Sequence, residues 1–368
     1  MLKNYFLKNL DRWLGTTLVR LLPAPRPLPS LVAPRSILLI RPGGIGDSVL
    51  LVPAIQSLKN CFPQTSIDIL AEQRNAGAFA LCSGLRQVHL YDRPDQLLRV
   101  LCNRYDVVID TEQWYRLSAV IARLVRAPLK VGFATNERGR LFTHPVAYDL
   151  EDYEVNSFLR LLQPLGIGPA DSSDGPWLQV PEAAGNAAAK LLPSGDSTPL
   201  VIIFPGASIP EKCWGEDRFR EVVQWCAGQR YKVVLIGGGG EKEVAGRIAA
   251  AGAISLVGMT SLAETAAVLE RAAVVVSGDS GVLHIAAGLG RPTVSLFGPS
   301  SAAKWGPRGN RHIVLRPSDC PDCSRYGTTP SCPHNVRCMR EISVDEVTNA
   351  IRTLLSSRST THQGSRYE

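Results

Sequence analysis

The sequence predicts an α/β protein made of two doubly wound parallel-sheet domains, and three observations carry that prediction. Apolar strand-like runs alternate with helical stretches from Ser36 to Phe133. A turn-rich interval over 168–198 breaks the alternation, and a second series of the same kind starts at Leu200. Within it, Val274–Ser277 is a buried-strand run, Gly278-Asp279-Ser280-Gly281 a tight turn, and the small apolar stretch that follows has helical spacing. Strands alternating with helices build a parallel sheet covered on both faces. A chain of 368 residues also exceeds what one core usually holds.

Taken in order, residues 1–22 read as an amphipathic helix. Leu2, Phe6, Leu10, Trp13, Leu14, Leu18 and Leu21 recur at helical spacing, and Lys3, Lys8, Arg12 and Arg20 supply charge. Such a helix lies in a membrane interface, or packs on its own protein or a second subunit. Pro23–Pro29 is a stiff extended linker that ends it. In the first series the strands are Ile37–Ile40, Ser66–Leu70, Val88–Tyr91, Asp106–Asp110 and Lys130–Phe133, with helices near 48–60, 75–83, 94–103 and 116–125. In the second they are Leu200–Phe204, Lys232–Ile236, Ile254–Leu256, Ala273–Ser277 and Pro292–Phe297, with helices near 216–228, 241–251, 262–271 and 281–289. The expected organisation is a helix and linker over 1–34, a domain over 35–175, a linker over 176–199, and a domain over 200–343 with a Cys-rich loop at 320–338. A helix over 344–357 and a disordered polar tail over 358–368 complete it.

Composition narrows the partners. The chain is 45% hydrophobic and 20% charged, with a formal charge of +7 that favours acidic partners. No Lys/Arg tract with interleaved aromatics points to nucleic acid. No run of 18 apolar residues predicts a membrane span. The start lacks the apolar core of a secretory signal, which predicts a cytoplasmic protein. Five of the 9 cysteines are scattered singly and read as small core residues.

Six loops hold candidate chemistry. Arg41-Pro42-Gly43-Gly44-Ile45-Gly46-Asp47 follows the first strand. It matches neither Gly-x-Gly-x-x-Gly nor a P-loop. Asp47 offers a carboxylate that takes a proton from a hydroxyl nucleophile, or serves only as a helix cap. In Pro205–Trp214, Lys212 is a point charge suited to a leaving phosphate and Ser208 adds a hydroxyl; the bland reading is a solvated lysine. Glu241, after four glycines, suits ribose hydroxyls, and Met259 suits a purine face or plain packing. In the Asp279 turn, the backbone N–H groups and dipole of the next helix attract phosphate, with His284 in its first turn; otherwise Asp279 is an ordinary cap. Cys320, Cys323, Cys332 and Cys338 read C-x2-C-x8-C-x5-C. A structural zinc site, reduced thiols without a ligand, and disulfides are the three readings of that cluster.

Three of these stretches together resemble glycosyltransferase family 9, the lipopolysaccharide heptosyltransferases: Arg41–Ala54, Pro205–Trp214 and Ser277–Pro299. The resemblance runs from about Ser36 to the last helix. It implies a GT-B fold, two Rossmann-like domains facing a cleft, with the acceptor on the first and a nucleotide sugar on the second. It implies inverting transfer of heptose from ADP-heptose to the lipopolysaccharide core, with no cofactor or metal needed for catalysis. Carried over by position, Asp47 is the general base and Lys212 and Ser208 contact the diphosphate. Asp279, Ser280, Gly281, Val282 and His284 form the donor turn, and Glu241 and Met259 meet ribose and adenine. Arg41, with Gly44 and Gly46, borders the acceptor. Ala207 departs from the hydroxyl residue that some members carry there. Arg116, Arg123, Arg126, Lys130, Arg138 and Arg140 form an expected docking surface for an anionic glycolipid. The enzyme is then expected at the inner face of the cytoplasmic membrane, held in part by residues 1–22. Two other readings are a related glycosyltransferase using another nucleotide sugar and a non-catalytic nucleotide-sugar-binding protein; an epimerase of the same architecture fits less well, because the two domains' loops differ.

Overall fold

The computed structural model describes residues 11–26, 33–168, 175–192 and 198–361. The chain divides into two compact units, Met1–Ser172 and Ser173–Glu368.

The first unit runs α1 (Thr16–Leu21), β1 (Ser36–Arg41), α2 (Ile45–Leu50), α3 (Val52–Cys61), β2 (Ser66–Ala71), β3 (Gln87–Leu90) and α4 (Pro94–Cys102). It continues through β4 (Val107–Asp110), α5 (Arg116–Leu124), β5 (Leu129–Phe133), β6 (His144–Val146) and α6 (Glu154–Arg160). Its strands form one parallel six-stranded sheet in the order β3-β2-β1-β4-β5-β6. Ile37 through Ile40 are at most 1% exposed, because helices cover both faces and a parallel strand then tolerates apolar residues without alternation.

Three elements differ from the sequence expectation. The helix expected over 48–60 starts at Ile45 and divides at Leu51, since Pro53 has no N–H to continue the ladder. That division leaves Asp47 on a helix of its own. The stretch near 75–83 is a short 3-10 helix, Ala76–Leu81. The N-terminal helix, within the described residues, is a π-helical turn Asp11–Gly15 followed by α1; residues 1–10 lie outside them. Asp11 is buried and accepts the backbone N–H of Leu117 at 2.8 Å, so it satisfies the start of α5. Val19 joins the core of this unit, while Trp13 and Leu21 stay exposed.

The second unit runs α7 (Glu182–Leu191), β7 (Leu200–Phe204), α8 (Glu216–Gly228), β8 (Lys232–Leu235), α9 (Lys242–Ala249), β9 (Ile254–Ser255), α10 (Leu262–Glu270) and β10 (Val274–Gly278). It ends with α11 (Gly281–Gly288), β11 (Thr293–Leu296), α12 (Ala302–Trp305), β12 (His312–Leu315), α13 (Arg337–Arg340) and α14 (Val344–Thr361). Its parallel sheet has the order β12-β11-β10-β7-β8-β9. The interval 176–199 is not a bare linker: α7 packs on α10 and buries Ala184 and Ala188. The last helix extends to Thr361, beyond the expected 357; residues 362–368 lie outside the described set.

Both sheets are wound alike. The chain enters at a central strand, moves outward to one edge, then returns to the other side. The winding reverses between β1 and β4 in the first unit and between β7 and β10 in the second. Loops leaving the carboxyl ends of those two strands splay apart, which is where open α/β sheets bind ligands.

Candidate active site

Asp47 follows β1 at the first reversal point. Gly43 turns the chain there with φ +113, and a Cβ on it would lie 3.1 Å from Arg41 Nη2, so both the backbone and the space require glycine. Gly44 is the N-cap of α2 and contributes no side-chain bond. Asp47 sits in the first turn and is not the cap; its Oδ1 accepts from Gln113 Nε2 at 3.3 Å. Gly44 and Gly46 flank it, half-buried.

Arg41 does not border an acceptor as expected. It is 1% exposed, and its guanidinium donates to the Pro42 carbonyl at 2.6 Å, the Thr111 carbonyl at 2.8 Å, Glu112 Oε2 at 3.0 Å and Gln113 Oε1 at 3.4 Å. Burial alone disfavours its charge, but Asp47, Glu112, Glu154 and Asp110 outweigh that and hold the guanidinium above its ordinary range. Arg41 is therefore a buried support beneath Asp47.

Four members of this network were missed from the sequence: Glu112, Gln113, Tyr148 and Glu154. Gln113 Nε2 also donates to Glu154 Oε1 at 2.6 Å, and the Tyr148 hydroxyl donates to Glu154 Oε2 at 2.9 Å. Burial, with Glu154 beside it, pushes the Tyr148 hydroxyl far above its usual range, so it remains a donor. The polar run Asp110-Thr111-Glu112-Gln113 directly after a buried strand was the signal that would have found Glu112 and Gln113.

The expected basic docking surface is smaller than its sequence suggests. Arg138 is 0% exposed and pairs with buried Asp110 at 2.6 Å. Lys130 is buried and donates to the carbonyls of Ala122 and Val125, closing the end of α5. Arg116 is held by Asn136 and Arg123 by the Pro23 carbonyl. Arg126 and Arg140 stay exposed, and Arg140 lines a cavity of about 440 Å³ with Arg20, Ala134, Glu137 and Gly139.

In the second unit the reversal point gathers Lys212, Asp279 and His284. Lys212 ends a short 3-10 turn, Pro210–Lys212, after β7. Its Nζ lies 2.5 Å from Asp279 Oδ2, with side-chain exposures of 16% and 12%. His284 Nε2 stands 3.8 Å from Asp279 Oδ1. Burial works against the Asp279 carboxylate, yet the His284 contact and the Lys212 charge hold it well below the usual carboxylate range. Ser280, not Asp279, caps α11 by accepting the Leu283 N–H at 3.3 Å. That leaves Asp279 for the lysine, and the N–H groups of Gly281 and Val282 open the helix.

Neighbouring loops extend this edge. Glu241 Oε2 accepts the Gly238 N–H at 2.8 Å. A Cβ on Gly206 would come within 2.7 Å of Glu241 Cγ, so only glycine lets the β7 and β8 loops approach so closely. The Gly258 N–H donates to the Gly237 carbonyl at 2.8 Å, placing the Met259 loop beside the glycine loop, with Met259 61% exposed. Ser208 is exposed in the β7 loop.

All nine cysteines are unbridged. Cys338 packs in the core with Met339; burial, together with a contact from Cys320 and the nearness of Cys332, pushes its thiol up to about 11. Cys320, Cys323, Cys332 and Cys338, the expected zinc ligands, lie near one another on this loop. Among the described residues, no three His, Cys, Asp or Glu side chains are grouped as a metal site, although the Cys323 thiol is pushed up by burial and by the nearness of Cys332 and Cys320.

Two doubly wound parallel sheets, each with its candidate groups at the reversal point, are the GT-B fold. A model of the family described as "Glycosyltransferase family 9 (heptosyltransferase)" matches residues 95–331, more than half of the chain. The chain belongs to glycosyltransferase family 9 and is a glycosyltransferase. It is 27% identical to lipopolysaccharide heptosyltransferase 3 of Escherichia coli, covering 74% of this chain and 86% of that protein. It is 26% identical to lipopolysaccharide heptosyltransferase 2 of Salmonella typhimurium, covering 87% and 98%. The solved structure of the E. coli ADP-heptose lps heptosyltransferase II superposes with a TM-score of 0.72 at 22% identity, covering 88% of this chain and 99% of that one.

Proposed function

We propose that this enzyme transfers a heptosyl group, with inversion, from ADP-heptose to a hydroxyl of the lipopolysaccharide core. The observation that carries the reading is the meeting of Lys212, Asp279 and His284 at the second reversal point. The Glu241 and Met259 loops leave the next strands along the same edge. Adjacent strands stand about 4.8 Å apart, so β10, β7, β8 and β9 offer diphosphate, ribose and adenine contacts in line. Asp279, Ser280, Gly281, Val282, His284, Lys212 and Ser208 serve the sugar diphosphate, Glu241 the ribose and Met259 the base.

Asp47 accepts the proton of the acceptor hydroxyl. That oxygen bonds to the anomeric carbon as the carbon–oxygen bond to the diphosphate breaks, and ADP leaves with the electron pair. Lys212 and the N-terminus of α11 stabilise the departing charge. Among the described residues, no helix is long and apolar enough to cross a membrane. Exposed Trp13 and Leu21, beside exposed Arg12 and Arg20, support peripheral contact with the inner face of the cytoplasmic membrane. Arg126 and Arg140 favour an anionic glycolipid.

The test is a calorimetric screen of ADP-heptose beside UDP- and GDP-sugars, with Asp47→Ala assayed for transfer. Binding of ADP-heptose alone, retained by Asp47→Ala while transfer falls by about 10²- to 10⁴-fold, is the expected result. Tighter binding of a UDP-sugar would reject the donor, and undiminished turnover would reject the base.

A further inference from the structure

We propose that Gln113 is the positioning residue for Asp47, fixing one carboxylate oxygen so that the other faces the acceptor hydroxyl. This rests on the reading of Asp47 as the proton acceptor. Gln113 lies three residues beyond β4, and Asp47 lies on the helix after β1, so the pair bridges the two loops of the reversal point. The Gln113 amide has one consistent orientation. Its NH2 faces two carboxylates, Asp47 Oδ1 at 3.3 Å and Glu154 Oε1 at 2.6 Å, and its carbonyl oxygen faces Arg41 Nη2 at 3.4 Å. A flipped amide would set its oxygen against both carboxylates and its NH2 against a guanidinium. The amide is thus locked by charge on both sides.

Its anchor is equally fixed. Glu154 is 0% exposed and is held by the Tyr148 hydroxyl at 2.9 Å. The chain Tyr148–Glu154–Gln113–Asp47 draws on β6's following loop, α6, the β4 loop and α2. Gly44, the N-cap of α2, has no side chain to hold the carboxylate, and Gln113 reaches it from the β4 loop. Arg41 and Tyr148 both feel the Asp47 charge, and Glu112, Glu154 and Asp110 act on the same Arg41 guanidinium.

The experiment is a mutant cycle on the full-length enzyme, assayed with ADP-heptose and heptose-deficient lipopolysaccharide over a pH series. Gln113→Leu should lower kcat by about 10- to 100-fold and leave KM for ADP-heptose unchanged. In an Asp47→Asn background it should cause no further loss, because the residue it positions is gone. Gln113→Glu, of nearly the same shape, replaces a donor with a third carboxylate and should move the acidic limb of kcat/KM to higher pH by about one unit. If the Leu variant melts well below wild type, the Glu variant and its combination with Asp47→Asn carry the test. Multiplying losses in the double variant, or an unmoved acidic limb in Gln113→Glu, overturns the positioning role. Wild-type turnover by Asp47→Asn alone would instead overturn the underlying reading of the base.

Discussion

Asp47, Asp279 and Arg41 show how far one side chain's role depends on its neighbours. Asp47 is clear of capping because Gly44 occupies the N-cap. Asp279 is clear because Ser280 does. Both were legible in the sequence as acids after glycine-rich turns. The network behind Asp47 was not, since Gln113 and Glu154 lie 66 and 107 positions from it and are brought to it only by the sheet. Arg41 was misread for the same reason: an arginine beside glycines looks solvent-facing until the carboxylates that surround it are placed. At this scale, Lys212→Ala should cost twice. It removes a charge from the leaving diphosphate, lowering transfer by about 10²-fold. It also takes away the nearer of the two partners of the Asp279 carboxylate, leaving His284, at a cost of about 1–3 kcal/mol, read as a lower Tm in a thermal melt without ligand.

Secondary-structure elements were legible where hydrophobic runs were long. β1, β7 and β10 were placed within a residue because they are central and apolar. β6 and β12 were missed because neither presents a buried apolar run: β6 is three residues with Pro145 at its centre, and β12 is half-buried throughout. The β12 edge has a titratable lock. His312 Nδ1 lies 2.9 Å from Thr293 Oγ1, its register partner on β11. Burial, aided by the Arg311 charge, lowers its pKa to about 4. The unfolded chain, with an ordinary histidine near 6.5, binds the proton first, so this group's contribution is intact above pH 6.5 and falls away as pH drops toward 4. His312→Asn should flatten the Tm-against-pH curve across that window, removing up to about 3 kcal/mol of pH dependence. A curve parallel to wild type would reject the assignment.

At the scale of the molecule, the sequence showed two sheets and the glycine loops between their elements, but not the polar network behind Asp47. Alternation of strands and helices is a local signal. The convergence of Arg41, Gln113, Tyr148 and Glu154 depends on which strands become neighbours. Saturating ADP should act on the second unit through its reversal point. At 100-fold over its Kd it adds about 2.7 kcal/mol, and hydrogen exchange should show protection in the loops after β7 and β10 and none after β1 and β4. The shared winding of the two sheets has a further consequence. Reactive groups leave from the ends of two central strands in each unit, while the twelve strands among the described residues hold the interior. A handful of loop residues can therefore be rewritten to suit a new sugar or a new recipient, one half at a time, with the scaffold inherited unchanged.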